Sequence, residues 1–239
     1  MALAIFASPS AAKLPIPSIQ IGVSQATSPS DVGVALQMLA LLTVLAVAPA
    51  ILILMTSFTR IVVVFHFLRQ ALATQSAPPN QVLIGLALFM TFFIMKPVWN
   101  DAYTKGLNPY LEEKISFAEM ALEVQKPLKR FMLANTREKD IALFVKLSKS
   151  KRPENRAGLS LTTLVPAFVI SELQTAFIIG FLIYVPFIIL DMVVASVLLS
   201  MGMMMLPPVM ISFPFKLMLF VLVDGWGLIV GSLVKSFGY

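Results

Sequence analysis

Apolar and polar positions divide the chain into three blocks. From Leu36 to Met55, 20 residues pass without a charge. That is long enough to cross a hydrocarbon core, and Pro49 is placed to kink a helix there. Ile61–Leu68 is apolar but short. Arg60 and Arg69 bracket it, which predicts a cytoplasmic loop or an extension of the first hairpin. Ala77-Pro-Pro-Asn-Gln81 reads as a turn. Val82–Met95 resumes the apolar run, which lengthens if Lys96 snorkels and Trp99 and Tyr103 sit at an interface. Residues 100–158 are polar, and from Gly158 the chain is apolar almost to its end.

Inside the polar block, Ser116-Phe-Ala-Glu119 has the form of a capping box. Phe117, Ala121, Val124, Leu128 and Phe131 then recur at helical spacing, with Pro127 predicted to break or kink that helix. A second helix is predicted over Glu138–Leu147, with Ile141, Phe144 and Val145 on its inner side. The pair reads as two helices packed on each other as a lid, or as a docking surface. Lys149–Pro153 reads as a solvated linker. In the second apolar block, Met192–Phe215 is a charge-free run of 24 residues. Pro207, Pro208 and Pro214 forbid one straight helix. Pro207-Pro208 is predicted to mark a hairpin turn between two arms. The first arm is interrupted at Pro166 and Pro186. The second spans Val209–Val234 and contains Lys216 and Asp224, with Gly225 and Gly227 permitting close helix approach.

These patterns predict an all-α, integral membrane-complex protein of kinked helical hairpins with a polar helical insert. The expected division is a flexible leader or remnant signal region at 1–34, a first hairpin at 35–99, an extracytoplasmic insert at 100–158, and a second hairpin with its methionine-rich loop at 159–239. Residues 1–30 are Ser/Pro/Ala-rich and lack the basic start of a signal peptide. Placing Arg60 and Arg69 inside puts the insert outside.

Composition sharpens this. The chain is 58% hydrophobic and 13% charged, with mean hydropathy +0.89, against about 25% charged residues in soluble domains. The net charge is +6, yet the basic residues are not interleaved with aromatics, which argues against nucleic acid as a partner. Residues 100–158 hold 12 of the 18 Lys and Arg and 8 of the 12 Asp and Glu. There is no cysteine, hence no disulfide and no thiolate metal site.

No catalytic constellation is visible. His66 is the single histidine, read as a packing or hydrogen-bonded residue; no phosphate-binding loop or metal motif occurs, and no cofactor is implied. Four charges stand in the second apolar block: Glu172, Asp191, Lys216 and Asp224. Facing lipid at mid-depth, they would cost roughly 10–14 kcal/mol together. They are either a proton or ion relay, as in an ion-coupled transporter, or structural pairs that fix assembly, with Arg60 among the polar assembly candidates. Glu172 with Lys216 is the first expected pair, across the hairpin or across a subunit boundary. Met201, Met203, Met204, Met205 and Met210 admit three readings: core filling, Cu(I) ligation, or a deformable seal, because thioethers repack at little cost.

Four stretches also carry a resemblance: Met55-Thr-Ser-Phe-Thr-Arg60, Ser76-Ala-Pro-Pro-Asn-Gln81, Gly202-Met-Met-Met-Leu-Pro-Pro208 and Pro214-Phe-Lys-Leu-Met-Leu-Phe-Val-Leu-Val-Asp-Gly-Trp226. Together they resemble the FliP family of flagellar biosynthetic proteins, grouped with the SctR-type subunits of virulence type III secretion systems. The likeness runs from about residue 35 to the end. It implies a pore-forming core subunit of the type III export gate in the inner membrane, at the centre of the flagellar basal body. Several copies would form a ring with FliR, with FliQ outside, and pass unfolded flagellar subunits. It implies hairpins largely lifted out of the bilayer plane, and a methionine gasket at Met203, Met204 and Met205. The leader departs from the signal peptide that many members carry.

Overall fold

The computed structural model describes residues 29–74, 76–148, 156–203 and 205–238. The leader up to residue 28, Met204 and the whole Lys149–Pro153 linker lie outside the described residues. These are largely helical, with no strand among them. In order the helices are α1 (Pro29–Met55), α2 (Phe58–Ala71), α3 (Asn80–Ala102), α4 (Asn108–Leu111), α5 (Phe117–Asn135), α6 (Glu138–Leu147), α7 (Leu161–Ser200), α8 (Pro208–Leu222) and α9 (Gly225–Lys235). A π-helical turn, Tyr103–Leu107, joins α3 to α4. The all-α expectation holds. Val47–Tyr239 pack as one compact unit. Ahead of it the first part of α1 is described by its own helix, where Thr43 Oγ1 donates to Leu39 O at 2.7 Å.

The centre of the unit is α2, the segment expected to be a loop or an extension. Phe58, Ile61, Val64, Phe65, Leu68 and Ala71 are buried, a helical stripe that packs on α3 and α7. It is too short to cross a bilayer; Arg60 at its start is satisfied inside the protein, and Arg69 near its end bonds Asn80 at the surface. Reading α2 as a loop overlooked that a short apolar helix can be the core itself.

The corner between α1 and α2 bends by 65°. The sequence Thr56-Ser-Phe-Thr59 accounts for it. A helix end leaves carbonyls without partners. Here Thr56 Oγ1 donates to Leu52 O and Thr59 Oγ1 donates to Ile53 O. Phe58 N in turn donates to Thr56 Oγ1 at 3.3 Å.

Two long helices qualify as membrane spans by length and composition: Asn80–Leu111, and α7 with 40 residues. At about 1.5 Å per residue, α7 is about 60 Å long, twice a hydrocarbon core. Two bent pairs, Leu45–Met55 with α2 and α8 with α9, also qualify; the second bends by 63°. Pro166 and Pro186 do not interrupt α7, contrary to expectation, and Pro127 does not end α5. A proline removes one backbone bond, and packing on each side holds the axis. Leu164 and Phe168 flank Pro166, Phe187 follows Pro186, and Pro127 is itself buried.

Helices α2 and α7 approach closely at Gly180. A Cβ there would lie 2.6 Å from ring atoms of Phe67 and 2.9 Å from its Cβ. Gly180→Ala is expected to lower stability by about 1–3 kcal/mol through overpacking. Gly85→Ala, which opens onto free space, should be neutral or stabilising by up to about 1 kcal/mol. Thermal unfolding of the two variants side by side checks the contrast.

The polar insert begins with the expected capping box. Glu119 N donates to Ser116 Oγ at 3.3 Å, and Ser116 N donates to Glu119 Oε2 at 2.8 Å. Only the later part of the predicted face of α5 is covered. Phe117 stays 67% exposed, whereas Val124 rests on Gly106 in the π-turn and Met132 packs with Leu164 and Phe168. Helices α5 and α6 each lie on α7 rather than chiefly on each other, so the insert is not a separate two-helix lid. Ile141, Phe144 and Val145 are half-buried on one side of α6.

The hydrogen bonds from Ser116 hold the Glu119 carboxyl below its ordinary value of 4.5. A depressed carboxyl contributes stability above its unfolded pKa, and that contribution is lost as pH falls through the folded pKa. The first turn of α5 is therefore expected to fray below about pH 4.5. Glu119→Gln should remove that pH dependence in amide exchange over residues 116–120.

Candidate functional site

The methionine loop is shaped by the end of α7. Gly202 adopts φ +74°, a left-handed conformation that favours glycine. Gly202 N donates to Leu199 O, and Met203 N to Leu198 O, both at 3.0 Å. This is a Schellman closure. On the far side, Pro207 caps α8 and Pro208 takes its first position, where the missing N–H costs nothing. Met210 N donates to Pro207 O at 3.1 Å and starts the helix. The reversal thus spans Met201–Pro207, with the two prolines on its descending side.

The described side chains of this turn are exposed. Met205 is 97% exposed. Met201, Met203, Leu206 and Met210 are also exposed. Met204 lies outside the described residues. A contiguous exposed apolar patch of this kind marks an interaction surface.

Below the loop the two arms are joined by an ion pair. Lys216 Nζ donates to Asp191 Oδ2 at 2.7 Å, and Ser212 Oγ donates to Asp191 Oδ1. Lys216 is 2% exposed, while the Asp191 side chain keeps 25% exposure. Ser212 stands one turn before Lys216, so both donors share one face of α8.

A second, deeper pair lies elsewhere on α7. Arg60 of α2 donates to Glu172 with both arms of its fork, Nε to Oε2 at 2.8 Å and a terminal nitrogen to Oε1 at 2.5 Å. Its other terminal nitrogen donates to Ser236 O and Ser236 Oγ, both at 2.8 Å. The guanidinium lies 3.7 Å from the centroid of Phe237, a cation–π contact. Phe237 also stacks on Phe131 of α5. Beside Glu172, Ser171 Oγ accepts from Arg137 N at 3.0 Å and donates to Asn135 O at 3.3 Å. Arg60 and Glu172 are both essentially inaccessible, and their hydrogen-bonding capacity is nearly filled.

The expected pairing of Glu172 with Lys216 is therefore corrected. Glu172 and Asp191 lie 19 residues apart on α7, about 28 Å along its axis, so Lys216 at the height of Asp191 cannot reach Glu172. Asp224 is corrected as well. It is exposed, adopts φ +49°, and caps the break between α8 and α9; its side chain makes no ion pair or hydrogen bond among the described residues. Arg60, expected among the buried polar residues, is buried, and its partner is Glu172. Ser212, Asn135, Ser236 and Phe237 were not singled out from the sequence. Only Ser212 carried a signal, its one-turn spacing from Lys216.

His66 is exposed, with a ring nitrogen 3.2 Å from Gln70 Nε2. Among the described residues no cluster of His, Asp and Glu suits a metal ion. The charges buried in the core and between the hairpin arms are thus arranged as closed pairs, and the exposed tip of the hairpin is apolar.

Comparison with known proteins matches this arrangement to a family. The model of the FliP family matches residues 41–233. The flagellar biosynthetic protein FliP of Bacillus subtilis is 59% identical over 217 residues, covering 91% of this chain and 98% of that one. The FliP of Pectobacterium carotovorum is 54% identical over 202 residues, covering 84% and 78%. That of Aquifex aeolicus is 47% identical over 224 residues, covering 93% and 92%. With a family match across most of its length and full-length relatives at this identity, the chain belongs to the FliP family.

Proposed function

We propose that the chain is a non-enzymatic, pore-lining subunit of the flagellar type III protein export gate. Further copies of the chain, with FliR and with FliQ on the outside, form the ring, which works with the other export apparatus proteins. The assembled gate stands in the inner membrane at the flagellar basal body, raised toward the periplasm, with the insert extracytoplasmic. It passes unfolded flagellar subunits and does not bind nucleic acid.

One observation carries this reading. A charge-free turn after α7 presents Met205 almost fully exposed. A single subunit gives that side chain nothing to bury against. Thioethers from several copies around one axis would bury one another and deform around a passing chain. Met203, Met204 and Met205 are the gasket residues, and Pro207-Pro208 sets their height. The rival reading, an ion-coupled transporter, needs a connected relay that includes Glu172. Glu172 is instead sealed by a bidentate arginine and is inaccessible.

Replacing Met203, Met204 and Met205 together by Ala is expected to raise leakage of ions or small molecules through the assembled gate at least about tenfold. Complex formation on native gels should be retained. An intact gate that stays tight after the replacement would overturn the assignment.

A further inference from the structure

We infer that neighbouring copies of the chain are joined by an ion pair between Asp224 of one copy and Arg69 of the next. The inference rests on the ring of copies given above and names a contact that sets its register. Asp224 is exposed at the corner between α8 and α9. Around it Val221 and Leu222 are each 75% exposed and Leu228 is 59% exposed. The carboxylate folds over the first turn of α9, where a Cβ on Gly227 would stand 2.3 Å from Oδ2. A lone carboxylate on an apolar surface needs a cation once that surface is covered, because an unpaired buried charge is costly.

Outside the insert, the cations without a carboxylate partner among the described residues are Arg69, Lys96 and Lys235. Arg69 is half-buried on α2. One terminal nitrogen donates to Asn80 Oδ1, and the other lies 3.5 Å from His66 Nδ1. Neither partner is a carboxylate, and a guanidinium has five N–H donors, so its fork keeps donors for one. The opposite charges on two surfaces of the same chain are complementary, which selects a second copy as the occupant.

Levels along α7 single out Arg69. Arg60 holds Glu172 and Phe67 lies against Gly180, so α2 and α7 run in the same direction. Arg69, two residues past Phe67, stands about 3 Å above the level of Gly180. Asp191 is 11 residues beyond Gly180, about 16 Å along the axis, and Lys216 meets it there. Helix α8 returns along α7, and Asp224 follows Lys216 by 8 residues, a descent of about 12 Å. Asp224 thus stands about 4 Å above Gly180, within about 2 Å of the level of Arg69. Copies rotated about an axis along α7 meet at equal levels, and such a head-to-tail contact closes a ring. Lys235 adjoins Ser236, which bonds Arg60 at the level of Glu172, about 12 Å below Gly180. Lys96 is 16 residues along α3 from Asn80, the partner of Arg69, about 24 Å away. Both are at the wrong level.

The chain has no cysteine, so a cross-link can be placed without background. Gln70 and Val223 are exposed beside the two charges. The full-length chain with Gln70→Cys and Val223→Cys, made together with the other export apparatus proteins, is treated with a short bismaleimide. A ladder of linked copies is expected on denaturing gels, absent from each single variant. Adding Asp224→Asn should lower its yield at least about tenfold. A ladder that survives Asp224→Asn overturns the proposal, as does an internally linked monomer or a link to a different protein. So does an intact multimer on native gels with no ladder, an outcome that leaves the ring reading standing. A chain that forms no multimer overturns both. If the doubly substituted chain does not fold, charge exchange replaces it. Arg69→Asp and Asp224→Arg should each lower the yield of multimer at least about tenfold, and together restore most of it. No loss from either change, or no recovery from both, overturns the proposal.

Discussion

Arg60→Ala is expected to cost about 3–5 kcal/mol, because it strands the Glu172 carboxylate in the core without its partner. Most domains have only about 5–15 kcal/mol in total, so the variant should accumulate poorly or fail to fold. Glu172→Ala should be comparably severe. Arginine stays protonated in proteins, so a stranded Arg60 has no escape by losing its charge. Arg60→Lys is not conservative here. It keeps a charge but loses the fork on Glu172, the bonds to Ser236 and much of the stacking on Phe237. Arg60→Met with Glu172→Leu should recover much of the loss, since an apolar replacement of a buried pair is often near neutral. Denaturation of the unaltered chain, Arg60→Met, Glu172→Leu and the double variant as a double-mutant cycle measures the coupling. A coupling near zero would show that the pair contributes nothing to the fold.

Asp191→Ala and Lys216→Ala are expected to differ in severity although they break one ion pair. Lys216 is 2% exposed, so removing Asp191 leaves an ammonium in an apolar surround. That change should cost about 3–5 kcal/mol. Removing Lys216 leaves a carboxylate that keeps the Ser212 hydroxyl and 25% exposure of its side chain. The cost should be about 1–3 kcal/mol. The hairpin arms should loosen in both cases, read as faster amide exchange in α8. Equal effects would mean that the asymmetry of burial does not govern the pair. Since the pair joins the arms carrying the methionine loop, both variants should also loosen that loop.

Local structure was largely legible from residue order. The capping box at Ser116, the helix over Glu138–Leu147 and the reversal before Pro208 each rest on neighbours within a few positions. Those neighbours fix backbone geometry directly through caps, spacing and the missing proline donor. The membrane-associated, all-helical class followed from hydropathy for the same reason: apolar length is a property of the chain itself. The continuity of α5 and α7 through Pro127, Pro166 and Pro186 was not legible. A proline weakens a helix locally, and whether the axis survives depends on the side chains packed against it from elsewhere.

The sequence by itself determined where helices start, where the hairpin reverses and that its tip is an uncharged methionine run. Tertiary structure alone decided which charges meet. Arg60 and Glu172 are 112 residues apart in the chain, and Arg60 and Ser236 are 176 apart. Four charges and one arginine in an apolar chain permit several pairings of similar chemistry. The choice is made by the height at which each stands on α7 and by the close approach of α2 at Gly180. Distances along a helix are fixed by residue number, but distances between helices are fixed only by packing.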